Sequence, residues 1–495
     1  MISRRRFLGA AAAAGAAVVV GFDPNEQRWI TAAEAATAPS FAGAPPLDGE
    51  LALDAGSRQA VATDLGNIVY HQPYAVLRPA STRDVAAMIR FCRAHRIPVS
   101  TRGQAHTTYG QGLSRGLVIE MRHLRRIHTI GPRHAEVDAG IHWMELAKAA
   151  YEQSPRLTPP AITGYTSLTV GGTLSVGGIG GMVGGLRTGL QVDHVRELEV
   201  VTGTGAIERC SRDRRPDLFE AVLGGLGQVA VITRAVIDLV PAKQRARNFV
   251  LQYSDNTTFF RDLRALLDRP GVDHIYAEFT APDPAPVYKI HATAFYDAPA
   301  VPDDAAIIAG LSAAPTIEDT GYLDYVFTID RLIDMLRETQ NWDRLVKPWY
   351  DVWLPDSTIE QYLAKLVPTL TPRDIGTYGA GLIYPQRRSL ATRPTPRRPA
   401  ADGSPWVYVV DINTVSESPG PDPQFSEEML ARNKRLFAEA RESYGAVLYP
   451  IGSVPFTARD WQIHYGDQWP AFQAAKRRYD PDTVLTPGPG IFRRD

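Results

Sequence analysis

The stretch Arg102-Gly103-Gln104-Ala105-His106-Thr107-Thr108-Tyr109-Gly110-Gln111-Gly112 comes directly after a strand-like segment beginning at Val99. Its glycines and small side chains let the backbone wrap closely around a ligand, and consecutive N–H groups in such a loop form a nest for a pyrophosphate. A second stretch has the same character: Thr169-Val170-Gly171-Gly172-Thr173-Leu174-Ser175, continued by Gly177, Gly178, Gly180, Gly181, Gly184 and Gly185. Its glycine density argues against a helix of ordinary stability and for a loop laid flat against a planar or phosphorylated ligand. Each stretch alone also reads as a surface loop; two in one region favour the ligand. His106, inside the first loop, reads either as a hydrogen-bonding loop residue or as a ligand contact or covalent attachment point.

Outward from these loops, the chain from Tyr70 to about Pro241 alternates strand-like and helix-like segments. Ser81 or Thr82 can cap a helix whose apolar face is Val85, Met88, Ile89 and Cys92. Leu117–Met121 and Ala135–Ala139 read as strands and Ile141–Tyr151 as a helix. Glu197–Cys210 reads as a hairpin turning at Thr202-Gly203-Thr204-Gly205. Pro216 opens a helix, and Val229–Val240 is strongly β-type. The expected class is therefore α+β rather than a strict βαβ alternation. Beyond Ala242 loops lengthen and glycine thins, with a low-complexity segment over Arg387–Ser404, so a second domain is expected there.

Other chemistries are excluded by pattern. Gly225-Leu226-Gly227-Gln228-Val229-Ala230 matches a dinucleotide fingerprint, but a helix precedes it and a β-run follows, the reverse of what that fold requires. No G-x-x-x-x-G-K-[ST], H-E-x-x-H or C-x-x-C sequence occurs, which removes P-loop and common metal sites. The chain has 495 residues, 53 Lys+Arg against 54 Asp+Glu, and two cysteines. Such a chain can bury large cores, and its charge balance gives no reason to expect nucleic acid as a partner. Two cysteines cannot build a disulfide framework.

At the N-terminus, Ser3-Arg4-Arg5-Arg6-Phe7-Leu8 precedes an uncharged run of mostly Ala, Gly and Val from Gly9 to Phe22. The run is too short and weakly apolar to anchor in a bilayer, so no stable membrane anchor is expected. Paired arginines before Phe-Leu read as a twin-arginine export signal, which implies the twin-arginine export machinery as a partner and a periplasmic or extracellular location.

Several separated motifs together resemble one family. Arg102–Gln111, Leu168–Ser175, Leu223-Gly224-Gly225-Leu226-Gly227-Gln228 with Ile232-Thr233-Arg234, and Asp480-Pro481 through Pro487-Gly488 with Ile491-Phe492 resemble flavoproteins with a vanillyl-alcohol-oxidase-type (PCMH-type) FAD domain. Trp349 with Leu354-Pro355, Leu382-Ile383-Tyr384-Pro385, and His464-Tyr465-Gly466 with Trp469 resemble the cytokinin dehydrogenases within that group. The resemblance implies an FAD domain split between the N- and C-terminal parts, with an α+β substrate domain inserted. The expected division is 1–38 signal and linker, 39–242 FAD domain, 243–455 substrate domain and 456–495 a return to the FAD domain. It further implies FAD bound covalently through His106, with Gly103, Gln104, Ala105, Thr107, Gln111, Thr169, Ser175, Ile179 and Ile232 as flavin contacts. Neither Cys92 nor Cys210 lies in the glycine-rich segment, so a second covalent flavin bond is not expected.

The substrate side departs from the family. Gly164 stands where the family has an Asp that takes a proton from the substrate amine, and loss of a positioned base typically costs about 10²–10⁴-fold. Asp351 replaces an Asn, Pro489 replaces a Gln, and Glu278 is a match to a substrate-side Glu. Asp351 and Glu278 are therefore the candidate catalytic bases. The expected activity is that of an exported FAD-dependent oxidoreductase. It would oxidise a small organic substrate at a C–N or C–O bond, with hydride passing to flavin N5 and oxygen or a quinone as electron acceptor. An alcohol, sugar or natural-product oxidase of the wider family, and a flavin-carrying binding protein without catalysis, are the alternatives.

Overall fold

A computed structural model of the chain describes residues 19–23, 28–31 and 40–492. The Ser3–Leu8 motif and most of the apolar run behind it lie outside these residues. Among the described residues no helix is long and apolar enough to cross a membrane.

Three larger sheets organise the described residues, beside two of two strands each. The first has four strands in the order Glu50–Ala52, Ala75–Arg78, Leu117–Glu120 and Val99–Arg102; its first pair is antiparallel and the others are parallel. The helix Thr82–Ala94 buries Val85, Met88, Ile89 and Cys92 in the core this sheet shares. It starts at Ser81, whose side chain accepts from Asp84 N while Asp84 reaches back to the cap, an arrangement worth about 1 kcal/mol. The second sheet is antiparallel, in the order Ile207–Ser211, Val195–Thr202, Ala230–Asp238, His134–Asp138 and Ile127–Ile130. The expected hairpin is its 195–211 edge.

The third sheet has eight antiparallel strands drawn from residues 245–448. Its adjoining strands Trp406–Asn413 and Tyr350–Pro355, sixth and seventh in the order, are buried almost throughout, because both faces are covered. The helices Asn256–Leu267, Asp356–Leu366 and Pro423–Tyr444 pack against it, and the opposite face turns toward the glycine loops. The last described residues return to the first sheet: Val99 N donates to Val484 O and Thr486 N to Val99 O, both at 2.8 Å.

One segment differs from the sequence expectation. Val170–Val176 is a two-turn helix despite Gly171 and Gly172. Tertiary contacts supply what glycine's propensity withholds. Thr169 caps the helix, Gly171 N donates to Ala139 O at 2.7 Å, and Trp143 Nε1 donates to Thr173 Oγ1 at 2.8 Å. The low-complexity segment is docked onto the second sheet's side of the molecule. Arg393 is 1% exposed, with Nε on Val192 O at 3.1 Å, and Thr395 Oγ1 donates to Glu220 O.

Candidate active site

A cavity of ≈ 390 Å³ lies between the glycine loops and the open face of the eight-stranded sheet, in the size range of small-molecule sites. All twelve residues singled out in the sequence line it: the ten of the glycine-loop side together with Asp351 and Glu278.

On the glycine-loop wall, most polar side chains are taken up by the scaffold. Thr107 Oγ1 donates to Asp64 Oδ2 at 3.2 Å, Gln111 Nε2 to Gly452 O at 2.9 Å, and Ser175 Oγ to Gly171 O at 2.7 Å. Gln104 Nε2 lies 2.6 Å from His142 Nε2. Ile179, Ile232 and His106 complete this wall of the lining. Close approach is enforced at Gly103, where a Cβ would stand 2.0 Å from Thr169 Oγ1. Asp64 braces this loop, and no motif announced it. Its carboxylate accepts from Gly66 N (3.1 Å), Gly110 N (2.7 Å) and Thr107 Oγ1. Burial raises its pKa to about 6 against the pull of those donors and of Arg102.

His106 packs between aromatic rings, 5.1 Å from Tyr165 and 5.3 Å edge-on to Trp349 between centroids. Burial holds its pKa to about 3, helped by the cations of Lys347 and Arg337, so the imidazole is neutral and keeps one nitrogen lone pair. Lys347 is itself fully buried. Its Nζ donates to Trp342 O at 2.5 Å and Leu345 O at 2.9 Å and lies over the Trp342 ring. Burial brings its pKa down to about 7.

The opposite wall is a single rung of the sheet. Glu278 pairs with Leu382, Leu382 with Asp411, and Asp411 with Asp351. Directly opposed residues of antiparallel strands share a face, so three carboxyl groups enter the cavity in one row, among Tyr276, Tyr384, Tyr449 and Trp349. Burial pushes the Glu278 pKa up, but hydrogen bonding and charge from His291, whose Nε2 is 3.5 Å away, with Lys289, outweigh it and leave it below its ordinary value. Asp351 is driven the other way. Burial and then the adjoining Asp411 raise its pKa well above the usual range, and burial takes Asp411 to about 7. Asp351 by itself is therefore protonated at neutral pH, and the ionising member of the pair is Asp411, which the sequence reading missed. A glycine permits this geometry: a Cβ at Gly452 would lie 2.1 Å from Asp351 Oδ2.

Gly164 also lines the cavity, and a Cβ there would meet nothing closer than Tyr384 Oη at 4.0 Å. Pro489 contributes a carbonyl that accepts from Trp461 Nε1 at 2.8 Å. The helix Thr328–Gln340 closes one side with Ile329, Leu332, Ile333 and Leu336. Asp330 on that helix accepts four hydrogen bonds from Thr166 and Ser167, at 2.7–3.0 Å. Its partners are remote in sequence, so no local pattern flags it.

The donor set fits FAD. Gly103, Gly112, Gly164, Gly171, Gly172, Gly178, Gly181 and Gly227 all line the cavity and give a flat ligand access to bare backbone. A neutral imidazole, that of His106, stands among them.

Comparison with known proteins agrees. Residues 73–211 match the model of an FAD binding domain, and residues 287–492 match that of cytokinin dehydrogenase 1, FAD and cytokinin binding. The chain is 35% identical to an uncharacterized oxidoreductase, ORF5 in the fasciation locus of Rhodococcoides fascians, over 86% of this chain and 95% of that protein. It is 30% identical to cytokinin dehydrogenase 2 of Arabidopsis thaliana, over 89% and 93%. In fold it resembles 6-hydroxy-D-nicotine oxidase from Arthrobacter nicotinovorans (TM-score 0.66, 21% identity, 89% of this chain and 96% of that one) and a chitooligosaccharide oxidase (TM-score 0.70, 13% identity, 91% and 98%). The chain belongs to the cytokinin dehydrogenase family of FAD-dependent oxidoreductases.

Proposed function

We propose that this flavoenzyme oxidises a small organic substrate at a C–N or C–O bond, with FAD attached covalently through His106 and oxygen or a quinone as final acceptor. One observation carries the reading: a single cavity joins the glycine-loop wall bearing His106 to a row of ionisable carboxyl groups. FAD bound there supplies a two-electron acceptor, the part of such chemistry that belongs to the cofactor.

The chain's own residues supply the rest. The glycine loops bind and orient, the apolar side chains of the helix Thr328–Gln340 that line the cavity exclude water, and the carboxyl row receives a proton. Glu278, held ionised beside His291, is the standing anion of that row. The His106 nitrogen lone pair is available for bonding because the ring is not protonated.

Anaerobic titration with a panel of amines, alcohols and aldehydes tests the activity. Loss of flavin absorbance with at least one member is expected, and none across the panel would reject it. We further propose export by the twin-arginine route, supported by Arg4-Arg5-Arg6-Phe7-Leu8 and the uncharged run after it. Replacing Arg4 and Arg5 by Lys should retain the protein in the cytoplasm, and unchanged export would reject that route.

A further inference from the structure

The carboxyl row contains two groups that the scaffold gives no donor beyond each other. Asp351 is fully buried and Asp411 is 5% exposed, and both line the cavity. Apart from the proton the two share, neither Oδ1 nor Oδ2 of Asp351, nor Oδ1 of Asp411, is hydrogen-bonded to a protein N–H or O–H. A buried carboxyl group without a donor is costly unless something fills that role. Two such groups facing each other cannot both ionise, so they hold one proton between them and carry at most a single negative charge.

The surroundings narrow what would answer that charge. Tyr350, Tyr384 and Tyr449 are the groups whose fields couple to the pair, and burial keeps each phenol neutral. Glu278 lies two strands from Asp411 along the rung and is engaged by His291. The aromatic side chains of Trp349, Tyr384 and Tyr449 complete the wall, and aromatic rings favour a cation over an anion.

We propose that the Asp351–Asp411 pair is a subsite for a basic, positively charged nitrogen of the substrate. It is distinct from the place of Gly164, and it rests on the oxidoreductase reading above. Below about pH 7 a cation entering the site displaces the second proton of the pair to solvent; above it the pair is already a mono-anion. Binding therefore strengthens as pH rises.

The probe is phenyltrimethylammonium, a permanent cation, against the neutral and similarly shaped 2-phenyl-2-propanol. Dissociation constants are measured on the oxidised holoenzyme by calorimetry, between about pH 6 and 8. The cation should bind roughly tenfold or more tightly than the alcohol at the upper end, and its affinity should rise about tenfold across the range, while the alcohol's stays level. Asp351→Asn with Asp411→Asn should abolish both the preference and the slope. Equal affinities, a flat profile, or a preference that survives in the double variant each overturn the proposal. If the double variant fails to fold, the wild-type profile decides alone. Glu278→Gln should keep the slope; its loss there assigns the effect to Glu278 with His291 and also overturns the proposal. Flavin content and dithionite reduction on the same samples separate the two readings. Protein without reducible flavin fails the oxidoreductase reading, and intact flavin without cation preference fails only the subsite.

Discussion

His106 is buried, neutral and flanked by Tyr165 and Trp349, so its chemistry can be read directly. Acid-precipitated protein should stay yellow. His106→Ala should release its flavin into the supernatant, with little change in folding. Gly164→Asp has room, the nearest neighbour of its Cβ being Tyr384 Oη at 4.0 Å. Turnover of an isopentenyl-type adenine should then rise by about tenfold or more, the lower reach of what a positioned base supplies; steady-state kinetics would show it, and no gain would mean the pocket has diverged elsewhere. Lys347 gives a pH signature. Its folded pKa of about 7 lies below its ordinary 10.5, so in between the unfolded chain binds the extra proton and stability rises with pH. Wild type should gain on Lys347→Met in denaturation midpoint from about pH 7 to 10; a constant difference would contradict the buried-cation assignment.

The helix Val170–Val176 shows how a local rule yields to packing. Replacing Gly171 by Ala raises intrinsic helix propensity by about 1 kcal/mol. Its Cβ, however, would stand 2.8 Å from Ala139 Cβ and 3.1 Å from Ala139 O, and overpacking typically costs about 1–3 kcal/mol. The clash should win, with Gly171→Ala lowering the melting temperature and flavin content together. A more stable variant would show that the helix has slack. The eight-stranded sheet carries the same lesson. Asp351 was marked by its departure from a family motif, whereas Asp411, in Val407-Tyr408-Val409-Val410-Asp411, carries no motif and gains meaning only from a partner on the neighbouring strand.

At the scale of the whole molecule, a buried ion pair within the C-terminal segment orders it, and its lysine reaches across to the loop before the strand Ala230–Asp238. Lys476 Nζ donates to Asp480 Oδ2 and Gln228 O, both at 2.7 Å, and Asp480 also accepts from Val484 N and Leu485 N at 2.9 Å. Removing one partner of such a pair strands the other and costs about 3–5 kcal/mol. Lys476→Met should therefore lower the first unfolding transition, with flavin fluorescence changing there as the ring is exposed to solvent, because Thr486 of the same segment lines the cavity. An unchanged transition would show that the C-terminal segment adds nothing to the site.

The sequence by itself determined the family, the cofactor and the α+β class, because these rest on contiguous motifs whose glycines and histidine must lie on one short loop to act. It also marked Gly164 and Asp351 as departures. Only the tertiary structure decided what the departures amount to. Asp64, Asp330 and Asp411 act on partners brought to them by the fold, and the charge state of the Asp351–Asp411 pair follows from burial and from strand register. Neither of those exists until the strands pair.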